Sequence, residues 1–200
     1  MGSEEGDGHG RGRPRDPDVD EAILQATVRT LRERGWGATT VEDVASEAGV
    51  SKASIYRRYR SKVALVADAA THDRQEHFPS FDTGSVTGDM MTFVLASHRR
   101  LIESVWHRVL PGVLGEAADD PDVREVVQEA WSWRRDALAA IVARGIARGE
   151  VHPDTDPNLV LSILDGATLF RLLVTGEALD YAFADKLVDQ TTRAISGFWR

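Results

Sequence analysis

Two short helical patterns separated by one glycine, within residues 39–62, constrain the fold of this chain more than any other feature. Thr40 is followed three residues later by Asp43, which is the spacing of a reciprocal cap at the start of a helix. Gly49 ends this first pattern, at a position where a left-handed backbone is needed and glycine adopts it at little cost. Ser51 then provides the cap of a second helix. A helix, a glycine turn and a second capped helix predict a helix-turn-helix.

The second helix of the pair is strongly basic. Its window holds five cations and no acidic residue: Lys52, Arg57, Arg58, Arg60 and Lys62. A helix with small polar residues at its start and cations further along fits the major groove of DNA. Charge alone would also fit a solvated surface helix. The combination of this charge with the helix pair favours DNA binding.

The stretch of residues 39–65 resembles the DNA-binding domain of the TetR family of bacterial transcriptional regulators. The residues that match the family pattern are Thr40, Val44, Ala45, Ala48, Gly49, Val50, Ser51, Tyr56, Lys62 and Leu65. Tyr59 stands where the family usually has Phe, and Arg57-Arg58 replaces a more usual aromatic-His pair. The specific match extends over residues 19–70, and beyond it only the helical pattern agrees. The resemblance implies an all-α homodimer whose C-terminal domain binds a small molecule and thereby releases DNA.

The resemblance also implies roles for individual residues of the DNA-binding domain. Residues facing base edges would be Lys52, Ala53, Ser54 and Arg57. Residues holding phosphates would be Thr40, Tyr56, Arg58 and Lys62, with Ser51 at the start of the helix. Two subunits would place two such helices on successive major grooves, so we expect a near-palindromic operator on double-stranded DNA.

Residues 1–18 are glycine-rich and show no apolar periodicity, so we expect a disordered N-terminal arm. The arm contains Gly-Arg-Gly-Arg-Pro-Arg, in which Arg11 and Arg13 resemble arginines that enter a narrow minor groove. A solubilising tail with arginines at these positions by chance explains the same residues equally well. After the arm, we expect a helix-turn-helix domain at residues 19–65 and a helical ligand-binding and dimerisation domain at residues 66–200.

The net charge of −8 argues against a nucleic-acid partner only if its distribution is ignored. Residues 1–75 hold 12 basic and 13 acidic residues, whereas residues 76–200 hold 12 and 19. The excess acid therefore lies in the C-terminal part, and DNA binding needs a positive face rather than a positive total.

Composition and motifs also exclude several classes of site. The chain has no cysteine, which excludes disulfides and thiol chemistry. It has no signal-peptide pattern and no apolar run of about 20 residues, so we expect a cytoplasmic protein without a membrane segment. It also lacks a glycine-rich phosphate loop and a nucleophile motif, so we expect no enzyme and no cofactor. His72 and Glu76, one turn apart before His77, could bind a metal, but a polar helix end is the better interpretation and we expect no metal site.

Hydrophobic periodicity predicts an all-helical remainder. The expected segments are a helix from about Asp18 to the glycines at 35 and 37, a helix over 61–77, a loop over 78–88, a helix over 89–110 broken at Pro111-Gly112, a short helix over 113–118, and helices over 121–148, 157–175 and 180–198. The helix over 157–175 is apolar on most of its circumference, so it must be covered on more than one side. We therefore expect a homodimer through residues 157–198, arranged as four helices about a two-fold axis.

A small-molecule pocket between residues 89 and 175 follows from the resemblance. Candidate lining residues are aromatic or histidine: Phe93, His98, Trp106, His107, Trp131, Trp133 and Phe170. Each of them could instead be an ordinary core residue. Asp165 and Arg171, on a mostly apolar helix, could pair with each other, pair across the dimer or meet a polar ligand.

The main hypothesis is therefore a dimeric repressor that a small-molecule effector releases from its operator. A helical small-molecule carrier or enzyme on the same fold is an alternative, although it would leave the basic helix unexplained. An activator, or a regulator without a ligand, fits the sequence as well as a repressor does.

Overall fold

The computed structural model describes residues 17–72 and 81–196, and this part of the chain is helical without a β-strand, as predicted. The helices are Pro17–Ala38 (α1), Val41–Glu47 (α2), Lys52–Tyr56 (α3), Lys62–His72 (α4), Val86–Glu103 (α5), Trp106–Asp119 (α6), Pro121–Ala130 (α7), Ser132–Ala147 (α8), Pro157–Phe170 (α9) and Tyr181–Ile195 (α10). A π-helical turn, Arg171–Thr175, continues α9.

The predicted helix-turn-helix is confirmed at its caps and at its turn. The Thr40 amide donates to Asp43 Oδ2 at 3.0 Å, and the Asp43 amide donates back to Thr40 Oγ1 at 3.1 Å. Gly49 has a φ of 67°, the left-handed conformation that the sequence predicts. The Ser54 amide donates to Ser51 Oγ at 3.2 Å, which caps α3. Local contacts therefore define the ends of α2 and α3 and the turn between them.

A small apolar core holds the helix-turn-helix against α1 and α4. Its buried members are Ile23, Leu24, Ala26, Val28, Val41, Val44, Ala45, Ile55, Leu65 and Ala69. The apolar side of α1 therefore faces inward. The kink at Gly35 interrupts α1 near the predicted end of that helix.

The predicted helix break at Pro111 is wrong. The chain breaks earlier, at Ser104, where the backbone is extended and Ser104 Oγ accepts the Trp106 amide at 3.2 Å. Pro111 lies inside α6 although it cannot donate a backbone hydrogen bond there. Leu110, directly before it, and Val113, two residues after it, are fully buried. Their burial favours a continuous helix more than the proline disfavours it.

Two other predicted boundaries differ from the structure. The helix predicted over 121–148 is interrupted at Trp131, which separates α7 from α8. The helix predicted to begin near Asp89 begins at Val86, because Ser85 Oγ accepts the Gly88 amide at 3.2 Å. Serine caps of this kind are short local signals that apolar periodicity does not reveal.

A central apolar cluster joins the DNA-binding helices to the C-terminal helices. Leu31 and Trp36 of α1 pack there with residues of α4, α6 and α7. The Trp36 indole N–H also donates to Glu116 of α6 at 3.2 Å. A second C-terminal cluster, around the fully buried Phe93 and Leu138, joins α5, α8, α9 and α10. The DNA-binding helices and the C-terminal helices therefore meet through the packed side chains of the central apolar cluster, not through a polar linker.

Helix α9 and its π-helical turn remain largely uncovered within one chain. Leu159, Phe170 and Val174 are 60%, 59% and 68% exposed. Pro157–Thr175 is also the one segment of the described residues that is long and apolar enough to cross a membrane by length and composition. The two charged residues in this segment have partners within the chain, and they do not pair with each other. Asp165 binds Arg134, and Arg171 binds Glu177 at 2.7 Å.

Candidate functional site

Helix α3 presents one face to the core and the other to solvent. Ile55 is buried under the helix, whereas Lys52, Ala53, Tyr56 and Arg57 are exposed. The exposed residues therefore form one face that a DNA groove could cover. This face comprises most of the residues expected at base edges.

Lys52 is held on this face by an acidic residue of α2. Its ammonium group pairs with the Glu42 carboxylate and lies 5.6 Å from the centroid of the Tyr56 ring. The hydrogen bond to Glu42 raises the pKa of Lys52, so this side chain stays charged. Both partners are about half exposed, and surface pairs of this kind are weak. A base edge or a phosphate can therefore replace Glu42 at little cost.

Arg57, directly after α3, is oriented by Ser54 of that helix. Its Nη2 donates to Ser54 Oγ at 2.8 Å, and the Ser54 and Ser51 hydroxyl oxygens are 3.1 Å apart. These contacts hold the guanidinium group against Ser54 of α3.

Arg58, which follows α3, is placed differently from Lys52 and Arg57. Its guanidinium group pairs with Asp20 of α1 and donates to the Ser54 carbonyl at 3.1 Å. The side chain is only 14% exposed. In this conformation Arg58 fastens α3 to α1, and a phosphate contact would require the pair with Asp20 to open.

Lys62 is also turned inward. Its ammonium group donates to the Trp36 carbonyl at 2.6 Å and lies 4.0 Å from the Trp36 ring. Burial lowers the pKa of Lys62, whereas the charge of Glu116 acts in the opposite direction. In this conformation the side chain connects α4 to the end of α1.

The remaining DNA-facing candidates are Thr40, Arg11 and Arg13. Thr40 is exposed at the start of α2, where its hydroxyl donates to Asp43 Oδ2 at 2.7 Å. Arg11 and Arg13 lie outside the described residues, as does most of the 72–77 stretch considered for a metal. Within the described residues there is no group of three or more side chains suited to a metal ion.

A cavity lies between α5, α6, α7, α8 and α9. Its volume is about 60 Å³, and it is partly open to solvent. Its lining residues are Ser97, Arg100, Leu101, Trp106, Leu110, Ala130, Trp131, Trp133, Arg134, Asp165, Thr168 and Leu169. This lining is mostly apolar and aromatic, with a few polar groups, which is the usual character of a small-molecule site.

Three of the aromatic residues expected at a pocket line this cavity, namely Trp106, Trp131 and Trp133. Phe93 is fully buried behind it, 6.3 Å from the Trp133 ring. Phe170 is 59% exposed and does not contribute to the lining.

The two histidines considered for the pocket also lie outside its lining. His98 is buried behind Thr168, a lining residue. His107 Nδ1 is 2.8 Å from the Ser104 carbonyl, at the start of α6.

His98 is neutral at physiological pH. Burial and, secondarily, the charge of Arg134 lower its pKa from 6.5 to about 4. Its Nε2 lies 3.0 Å from Thr168 Oγ1, and that hydroxyl donates its own proton to the Leu164 carbonyl at 2.8 Å. His98 must therefore carry its proton on Nε2 and donate it to Thr168.

The sequence did not identify the two arginines of the cavity. Arg134 binds Asp165 across the lining, with 3.2 Å between Nε and Oδ2. Arg100 and Arg134 both lie against the Trp133 ring, at 5.4 Å and 5.5 Å from its centroid. Asp165 on an apolar helix was the available signal, because a carboxylate in such a position needs a cationic partner.

The cavity also borders the central apolar cluster. Trp106 and Leu110 line the cavity and belong to that cluster, where Leu31 and Trp36 of α1 are also packed. A molecule in the cavity would therefore touch side chains that pack in the same cluster as the DNA-binding helices.

Comparisons with known proteins agree with this geometry. Residues 23–69 match the family described as bacterial regulatory proteins of the tetR family. Residues 81–191 match the tetracyclin repressor-like C-terminal domain. The solved structure of the TetR family transcription regulator SCO0332 superimposes with a TM-score of 0.71 at 30% identity, covering 89% of this chain and 98% of that one.

Two relatives match over most of the chain. The uncharacterised HTH-type transcriptional regulator YdeS of Bacillus subtilis (strain 168) is 31% identical over 186 residues, which are 92% of this chain and 93% of YdeS. The DNA-binding transcriptional repressor TetR of Mycobacteroides abscessus is 27% identical over 170 residues, or 84% and 88% of the two chains. The matching families consist of transcriptional regulators and not of enzymes. Since both the helix-turn-helix and the C-terminal helices match, the chain belongs to the TetR family of DNA-binding transcriptional regulators.

Proposed function

We propose that this regulator is a cytoplasmic homodimeric repressor that binds a near-palindromic operator and releases it when a small molecule enters the cavity. The observation that carries this proposal is that Trp106 and Leu110 belong both to the cavity lining and to the central apolar cluster. These side chains line the cavity and pack in the same cluster as Leu31 and Trp36. A ligand that moves α6 therefore acts directly on the packing of α1. Repression is the named activity of the Mycobacteroides abscessus relative.

Contacts to DNA are made by the exposed face of α3. Lys52, Ala53 and Arg57 read base edges, because they are exposed and lie on the outer side of the helix. Thr40 and Tyr56 flank this face and hold phosphates. Arg58 and Lys62 contribute to positioning through their partners Asp20 and Trp36 rather than through the DNA backbone.

The dimer forms through α9, its π-helical turn and α10, within residues 157–198. The exposed apolar residues of this region are Leu159, Ile163, Phe170, Leu173, Val174 and Tyr181. An apolar surface of this kind on a soluble DNA-binding protein favours a second copy of the chain over a membrane. A two-fold axis at this surface would present two α3 helices to one duplex.

Sedimentation equilibrium together with fluorescence anisotropy on operator DNA tests this arrangement. The double variant Leu159→Glu/Val174→Glu should sediment as a monomer and lose about a hundredfold or more in affinity, since the two half-sites would bind separately. Ile102→Glu places the same charge on an apolar residue of α5 that is 46% exposed, and it should leave both properties unchanged. A monomeric wild-type protein with full affinity for the operator would refute the dimeric proposal.

A further inference from the structure

Helix α2 places the Glu42 carboxylate against a side chain proposed to read bases. Glu42 lies in the first turn of α2 and binds the ammonium group of Lys52, the first residue of α3. The same ammonium group lies 5.6 Å from the centroid of the Tyr56 ring. Glu42, Lys52 and Tyr56 are all exposed. A negative charge therefore lies beside the lysine on the proposed DNA-binding surface.

This pair leaves Lys52 able to bind a neutral base edge. The hydrogen bond from Lys52 lowers the pKa of Glu42, so the carboxylate is ionised at physiological pH. An ammonium group has three N–H donors, so Lys52 can donate to Glu42 and to a base at the same time. The guanine atoms in the major groove, N7 and O6, are uncharged acceptors. Lys52 can therefore donate to guanine while Glu42 stays in place.

A phosphate is a different partner for Lys52, because it is an anion. A phosphate bound to the ammonium group would bring its charge next to the Glu42 carboxylate. Like charges that face each other at a binding surface count against the wrong partner. The ion pair itself is weak, since both side chains are about half exposed, so losing it is a minor part of the cost. The repulsion between the carboxylate and the phosphate therefore disfavours this contact and spares the guanine contact.

We propose that Glu42 determines DNA specificity by positioning Lys52 for a guanine edge and by keeping it from phosphates. The proposal rests on the proposed role of α3 in reading bases and adds a residue of α2 to it. Phosphate contacts supply nearly all of the affinity for random DNA. Glu42 therefore lowers the affinity for random DNA more than the affinity for the operator.

Fluorescence anisotropy with two duplexes measures this effect. One duplex carries the operator recovered by selection from a random library, and the other has the same bases in scrambled order. Glu42→Gln keeps the size of the side chain and removes its charge. The ratio of operator affinity to scrambled affinity should fall by roughly fivefold or more in this variant. Binding of the scrambled duplex should also become more dependent on salt, by about one phosphate contact.

Glu47→Gln is the matched control on the same helix. Glu47 binds Arg29 of α1 at 2.8 Å, and its side chain is 48% exposed against 59% for Glu42. Removing either acid lowers the negative charge of α2 by one and raises the affinity for any DNA. The affinity ratio should therefore be unchanged in Glu47→Gln. An equal fall of the ratio in both variants, or an unchanged ratio in Glu42→Gln, would overturn the proposal.

A second comparison tests whether Glu42 acts through Lys52. In the Lys52→Ala background, Glu42→Gln should change neither the affinity ratio nor the salt dependence on the scrambled duplex, because no ammonium group remains to be positioned. A fall of the ratio as large as in the wild-type background would overturn the positioning role.

The affinities of the wild type separate this proposal from the proposed function. If the wild type prefers the operator and Glu42→Gln keeps the full ratio, the sequence-specific regulator stands and the role of Glu42 is overturned. If the wild type binds both duplexes equally, the sequence-specific regulator and the role of Glu42 are both overturned.

Discussion

The Lys62 ammonium group lies 4.0 Å from the centroid of the Trp36 ring and donates a hydrogen bond to the Trp36 carbonyl at 2.6 Å. This contact connects the start of α4 to the end of α1, next to the point where Trp36 binds Glu116 of α6. A lysine that the family resemblance assigns to a phosphate therefore joins three helices in this structure.

Replacing Lys62 with methionine should reduce stability without removing a DNA contact. Methionine keeps an apolar stem near Trp36 but loses the cation–π contact and the hydrogen bond, so we expect a loss of about 1–2 kcal/mol in the free energy of unfolding. Urea denaturation at one fixed protein concentration measures it. The dependence of DNA affinity on salt should be unchanged in Lys62→Met. A reduced slope for Lys62→Met would show that Lys62 reaches a phosphate.

Gly112 should tolerate no side chain, because a Cβ atom there would lie 2.0 Å from Cδ1 of Trp36. The Trp36 ring is held by Lys62 and Glu116, so it cannot easily move aside. Gly112→Ala should therefore cost roughly 1–3 kcal/mol in the free energy of unfolding.

Gly115 provides the matched control for Gly112 on the same helix. A Cβ atom at Gly115 would meet nothing within 4 Å. Gly115→Ala should therefore stabilise α6 by about 0.5–1 kcal/mol through helix propensity. Thermal or urea denaturation compares the two variants, and equal effects would mean that the contact between Trp36 and α6 is not tight.

Lys52→Ala should change DNA specificity as well as affinity. Lys52 lies on the exposed face of α3, and a lysine at a base edge reads guanine acceptors. The variant should therefore lose about 1–3 kcal/mol on the operator and should relax the preference at one base pair of each half-site. Competition binding on operator variants measures this preference. An equal loss on operator and random DNA would instead assign Lys52 to a phosphate.

His98 should make stability depend on pH in the acid range. Its pKa is about 4 in the folded protein against 6.5 unperturbed, so the unfolded state binds the additional proton between these values. The contribution of neutral His98 to the free energy of unfolding is therefore complete above pH 6.5. It is lost as the pH falls towards 4, by roughly 3 kcal/mol. His98→Gln keeps a donor for Thr168 but does not titrate.

Urea denaturation of wild type and His98→Gln from pH 7 to pH 4 measures this dependence. Other acid-titrating groups, such as the buried Asp89, are common to both proteins and cancel in the difference. The free-energy difference between wild type and variant should shift against the wild type as the pH falls. A constant difference would mean that His98 keeps an ordinary pKa.

Local chemistry explains why the N-terminal part was predictable. Thr40, Gly49 and Ser51 each act on their own helix ends, so their roles do not depend on distant parts of the chain. Pro111 shows the opposite case, because burial of Leu110 and Val113 overrides the local preference of proline. Arg58 and Lys62 likewise find partners on α1 that no helical spacing indicates.

The cavity was predictable only in part, because its lining depends on contacts between helices that are distant in sequence. Trp106 and Trp131 were candidates because aromatic residues often line pockets. Arg134 lines the cavity from α8, which begins just after a helix interruption at Trp131 that the apolar periodicity did not show. Phe170 lies on the same helix as the lining residue Thr168 but on its exposed side, so composition could not distinguish the two.

Selection of bound duplexes from a random DNA library, at a stated salt concentration, tests the regulator most directly. The dimer and the exposed α3 face predict enrichment of a near-palindrome, with half-sites about one helical turn, or roughly 10 base pairs, apart. Lys52→Ala should recover the same spacing with one relaxed position in each half-site. Recovery of random sequence, or of single half-sites without two-fold symmetry, would contradict a dimeric operator-binding repressor.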